Sequence, residues 1–248
     1  MFSVAKEWNP PQARLREAVG DPGRFDEAIG LCLKLHSIVH CSCVSPAVNT
    51  ENPTEPAEPQ DHTAMTRVPG APTFLDDIWD GLTREAFETM PTVKDVTIAW
   101  NIWHVTRIED IASNILINDS EQILNGEWLA RMNTAVRDTG NAMTDDEIIS
   151  LSRSLDIDEL KNYRDAVGAN TAGLLRRLAP ADLKRKVNPA SVARILAEGG
   201  VTEHKDSIWL LDFWGRKNIA GILLMPITRH QIGHLSDSMR LKTKLIKL

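Results

Sequence analysis

Cysteine is scarce in this chain. There are three in 248 residues, an odd number, and two of them, Cys41 and Cys43, lie too close in sequence for an easy mutual bridge. A disulfide-stapled secreted scaffold is therefore not expected, and a reduced cytosolic protein is the simplest reading. An excess of positive charge is also missing. The formal net charge is -6, Lys and Arg alternate with acids, and no basic stripe follows a helix face, which argues against general nucleic-acid binding. Long apolar runs are absent too. The longest, residues 219–227, carries Ala, Gly and Pro and is too short to span a bilayer. The opening MFSVAKEWNPPQ lacks the apolar core of a signal peptide. Together these point to a soluble, cytoplasmic protein with no membrane partner. Hardly any stretch alternates with period two, so no strand is expected, and no internal repeat is found.

What is present reads as helix. Hydrophobic residues make up 42 % and charged residues 25 %, an ordinary globular balance. Residues 1–24, with Pro10, Pro11 and Pro22, read as a loose lead-in with room for one short helix. Over 24–39, Phe25, Ala28, Leu31, Cys32, Leu35, Ile38 and Val39 recur at helical spacing. Residues 44–72 hold prolines at 46, 53, 56, 59, 69 and 72 and few large apolar groups, and are expected to be an exposed loop. Further helices are expected over 76–87, 92–117, 126–142, 144–152, 156–178, 189–198, 205–214 and 218–244. The Thr144–Glu147 spacing is a capping box, and Asn188-Pro189 sets a cap before proline at the first helical position. Pro226 leaves two readings open: a kink inside the last helix, or a helix that begins there. Long helices with inward stripes suggest one all-α bundle domain over 1–248.

Three histidines carry the chemistry. His104 shares a stripe with Trp100, Ile108 and Ile111. His230 and His234 are one helical turn apart and share a stripe with Ile227 and Leu241. If the two helices meet, three imidazoles can hold a metal ion and leave a position open for water or substrate. Chance alone supplies about 0.2 HxxxH pairs in such a chain, and a lone inward histidine is more often a hydrogen-bonded core residue. A second such pair, His36 and His40, competes; His40, with Cys41 and Cys43, reads as a helix-end or loop residue, and His36 could face the same central cavity. Glu109, Asp110 and Asp237 are candidates to orient the imidazoles. Glu109 is also the nominee for proton transfer, although it lies about 140° round the helix from His104. The tryptophans at 79, 100, 103, 128, 209 and 214 are expected mainly in the core rather than around a pocket.

WNIWHVTRIED, followed over a hundred residues later by MPITRHQIGHLSD, resembles the DinB-like (YfiT-like) superfamily of metalloenzymes. The resemblance implies a four-helix bundle of up-down-down-up type with additional short helices. It implies that His104, His230 and His234 are the metal ligands, for a divalent ion, zinc or nickel. It further implies a homodimer and a small-molecule substrate, with a low-molecular-weight thiol as partner in S-transfer. Metal-dependent hydrolysis and a non-catalytic metal- or ligand-binding stress-response bundle are the alternatives. The chain is longer than a typical member, and its insertions argue against carrying over any relative's substrate. No binding motif for a particular thiol is visible.

Overall fold

Twelve α-helical segments appear among the described residues of the computed structural model, which are 2–40 and 73–246. The proline-rich loop expected over 44–72, and Cys41 and Cys43, lie outside them. The described residues contain no strand, only an isolated bridge between Lys186 and Asn218.

The chain opens with a π turn, Val4–Trp8, leading into α1, Asn9–Ala18. The short helix expected in this lead-in is therefore present, but the segment is packed rather than loose. Pro10 and Pro11 fall in the first turn, where a missing N–H costs nothing, and Trp8, Leu15 and Ala18 are buried. Next come α2 (Phe25–Val39), α3 (Phe74–Trp79) and α4 (Arg84–Glu88). The single helix expected over 76–87 is thus two, parted at Gly81, whose φ of 64° ends the first. Helix α5 (Ile98–Asp110) runs on as a π-helical stretch, Ile111–Ile117, and Thr97 caps its start by accepting from the Trp100 amide.

The remaining elements are α6 (Gly126–Arg131), α7 (Asp145–Ser154), α8 (Ile157–Arg177), α9 (Pro189–Ala197), α10 (Lys205–Gly215), α11 (Ile219–Leu224) and α12 (His230–Ile246). The Thr144–Glu147 capping box and the Asn188-Pro189 start both form as their sequences require. Between α11 and α12 the chain stays helical through a π turn, Met225–Arg229, that contains Pro226. The proline thus distorts a helical path that continues on both sides. The helix expected over 126–142 stops at Arg131, and Met132 to Met143 is largely irregular.

The long helices pack as a ring: α2 lies against α8 and α12, and α5 lies against the same two from the opposite corner. From Ile98 to Ile117 every residue but Trp100 is buried. Helix α5 is therefore central, buried all round rather than amphipathic. That burial includes Asn101, Thr106, Arg107, Glu109, Asp110, Ser113 and Asn114, and buried polar groups demand partners. Satisfying them positions everything that follows.

The tryptophans divide. Trp103 and Trp214 are core; Trp100 is half-buried, and Trp209 is 48 % exposed.

Candidate metal centre

One stripe of α5 meets four consecutive carbonyls of the irregular segment after α6. Arg107 Nε donates to the Arg137 carbonyl at 2.8 Å, Trp103 Nε1 to Asp138 at 3.0 Å, and Trp100 Nε1 to Gly140 at 3.2 Å. Between them His104 Nδ1 lies 2.7 Å from the Thr139 carbonyl. A carbonyl can only accept, so Nδ1 carries the proton and the neutral ring presents its lone pair at Nε2. The ring also lies flat on Trp100, with centroids 4.6 Å apart and planes at 6°.

Helix α12 brings the other two imidazoles to the same place. Ring centroids lie 5.0 Å (His104–His230), 4.7 Å (His104–His234) and 4.6 Å (His230–His234) apart. One ligand nitrogen from each lies within 4.8 Å of the others. The tautomer of His234 follows from a chain of partners. Asp237 Oδ2 can only accept, so the Asn101 amide nitrogen faces it at 3.1 Å. Asn101 Oδ1 then accepts from His234 Nδ1 at 2.8 Å, leaving Nε2 of His234 as a lone pair.

Three observations fit a cation. His104 and His234 both turn lone pairs inward, and nothing among the described residues offers both of them a proton. His104 Nε2 and His230 Nε2 are 3.2 Å apart, while a zinc ion with bonds of about 2.0–2.1 Å holds tetrahedral donors about 3.3 Å apart. His230 Nδ1 is buried without a hydrogen-bond partner among the described residues, so the described protein groups hold this ring only through His104 Nε2. Electrostatics keep all three rings neutral. Burial pushes His104 down to about 3, aided by His234 and opposed by the Thr139 carbonyl. Burial likewise drives His230 well below the ordinary imidazole range, with His104 and His234 adding to the fall. Burial lowers His234 against the opposing pull of Asp237.

A cavity of about 600 Å³ reaches His230 and His234 and is walled by Trp100, Asn101 and Met225. Lys94, Arg229 and Arg240 bring positive charge to it. Arg240 is bound to Asp95 and Asp237, whereas Lys94 and Arg229 make no ion pair with a described residue. Its lining among the described residues includes no Cys, Ser, Thr or Tyr.

Of the proposed orienting acids, only Asp237 acts near the three histidines, through Asn101. Asp110 accepts from Arg107, Tyr163, Asn114 and the amides of Ile123 and Leu124, and so pins a loop instead. Glu109 turns away to His36 and His40, as its angle on the helix anticipated, and forms a second buried cluster with them. His204 caps α10 at the surface. The sequence reading missed Thr139, Asn101 and the carbonyl row. Asn101, three residues before His104 on one face of α5, was the available signal.

Fold and site together define an all-helical bundle with a three-histidine cluster in which His104 is buried and the half-buried His230 and His234 line a cavity. A model of the DinB superfamily matches residues 71–236, more than half of the chain, and the chain belongs to that superfamily. No curated protein matches it. No described helix is long and apolar enough to cross a membrane.

Proposed function

We propose that the protein is a divalent-metal-dependent enzyme, with His104, His230 and His234 as the ligands, zinc or nickel as the ion, and a small thiol as cosubstrate. The convergence of three neutral imidazoles, two with their lone pairs fixed inward, beside a cavity that His230 and His234 line carries this reading. When bound, the ion supplies a Lewis acid facing the cavity.

The chain's own groups bind and orient. Thr139 and Asn101 hold two of the rings, and Asp237 holds Asn101. Such outer partners are worth about 10–100-fold in metal affinity. No Cys, Ser, Thr or Tyr stands among the described lining residues, so a thiol or hydroxyl nucleophile would come from a second molecule. Lys94 and Arg229, without ion-pair partners among the described residues, suit a carboxylate on that molecule. These features favour S-transfer from a carboxylate-bearing thiol onto an electrophile. They also favour a site of action over a brace.

The test begins with metal content. Purified wild type carries a divalent ion at these residues and His230→Ala loses that equivalent. Thiols are then screened against a chromogenic electrophile, with turnover expected in wild type and lost on chelation. A wild type that binds no metal at these residues, or an unaffected His230→Ala, overturns the metal reading. Metal without turnover for any common thiol overturns the transferase assignment.

A further inference from the structure

The second buried cluster is left unused by that function. His36 lies in the last turns of α2 and His40 is the residue that ends it; Glu109 reaches them from α5 across the ring. His36 Nε2 is 2.7 Å from Glu109 Oε1, and His40 Nε2 is 2.8 Å from Oε2. The imidazoles stack with centroids 4.2 Å apart. All three side chains are buried, and their donor atoms lie within 4.8 Å of one another. Gly168 on α8 makes the room for one of them: a Cβ there would stand 2.3 Å from His40 Nδ1. That nitrogen is buried with no hydrogen-bond partner among the described residues.

We propose that His36, His40 and Glu109 form a second divalent-cation site, separate from the three-histidine centre, which ties α2 to α5. Two imidazoles and a carboxylate are a donor set that zinc accepts in other proteins. The carboxylate charge is already in place. Burial acts to raise the Glu109 carboxyl, but His40 and His36 outweigh it and hold the group well below the usual carboxylate range. Arg164 contributes positive charge nearby and is bonded to the Val39 carbonyl, Thr106 and Gln231.

Ion binding needs each Nε2 to present its lone pair, so the ring proton moves to Nδ1 and no proton is released. The donors also separate by a few tenths of an ångström, from hydrogen-bond distance to the ~2.9–3.3 Å between ligands of an octahedral or tetrahedral ion. Moving the proton to the unpartnered Nδ1 of His40 costs affinity, so this site is the weaker of the two. Its burial offers no position to a substrate, which makes the ion a brace. His36 and His40 both precede residues 71–236, the part of the chain matched to the superfamily.

The experiment counts ions. Metal-stripped protein is equilibrated with excess cobalt(II) or zinc, and bound metal per chain is measured by atomic emission. Wild type is expected to hold two equivalents, and the double variant His230→Ala/His234→Ala one, with the buried cluster untouched. Adding Glu109→Gln, or His36→Asn in its place, to that double variant removes the last equivalent. The proposal is overturned if the double variant binds none, or keeps its equivalent with both Glu109→Gln and His36→Asn. A thermal melt of the double variant gives a second reading that does not disturb the cluster: added zinc raises its midpoint, and an unchanged midpoint overturns the proposal. Wild type with one equivalent that the double variant retains would instead remove the three-histidine reading and leave this one standing.

Discussion

Gly140 shows how much of the site depends on one missing methyl group. Its φ is 77°, and a Cβ would stand 2.7 Å from Trp100 Nε1. Gly140→Ala thus strains the backbone and pushes away the indole on which His104 lies. The expected cost is about 1–3 kcal/mol in chemical denaturation, with weaker metal binding. Wild-type behaviour in both measurements would show that the carbonyl row does not anchor His104. Asn101→Ala probes the neighbouring ring. It leaves His234 Nδ1 and Asp237 without their shared partner, and metal affinity is expected to fall about 10–100-fold in competition with a chromophoric chelator. An unchanged affinity would mean that Asn101 does not orient His234. At this scale the sequence showed that His104, His230 and His234 face inward, because a stripe on a helix is a local property, but it read the buried His40 as a helix end. It did not show Asn101 or Thr139, since a tautomer is fixed by whatever lies across the space.

Several helix starts were readable because a cap is written within four residues, although the helix expected from 92 begins at Ile98, after its Thr97 cap. Thr144 accepts from the Glu147 amide, and Glu147 returns the bond to the Thr144 amide. Thr144→Ala is expected to cost about 1 kcal/mol in denaturant unfolding and to leave metal content unchanged. A loss of metal would mean that α7 is coupled to the site. Helix ends were read less well. The span 126–142 has helical composition, but residues 137–140 spend their carbonyls on side chains of α5. Four tertiary hydrogen bonds outweigh weak local propensity there. Pro226 is similar: the sequence allowed a kink or a start, and packing of α11 and the following π turn selected a continuous, widened path into His230.

For the whole molecule, the buried imidazoles set the acid response. His104 and His40 are both pushed down to about 3, chiefly by burial, from an ordinary value of 6.5. The unfolded chain therefore binds more protons than the folded one between these values. Stability present above about pH 6.5 is lost as pH falls toward 3. The window from 6.5 to 5 belongs mainly to histidine, because carboxylates with ordinary values near 4 stay ionised there. Thermal midpoints of metal-stripped protein are expected to fall across that window, and a flat profile would contradict neutral burial of the rings. At pH 7, removing the ion from a site filled at a hundred times its dissociation constant costs about 2.7 kcal/mol, or roughly 5–10 °C in midpoint for a chain of this size. No shift on chelation would exclude a resident metal at either cluster.

Composition and periodicity determined the all-α class, most helix starts and the inward faces of His104, His230 and His234, because each is a property of neighbours along the chain. The tertiary structure alone decided that Glu109 joins His36 and His40 rather than His104. It also buried α5 on every side and laid carbonyls 137–140 against it. Those outcomes depend on which helices lie opposite one another, and a buried polar group takes its partner from across that contact.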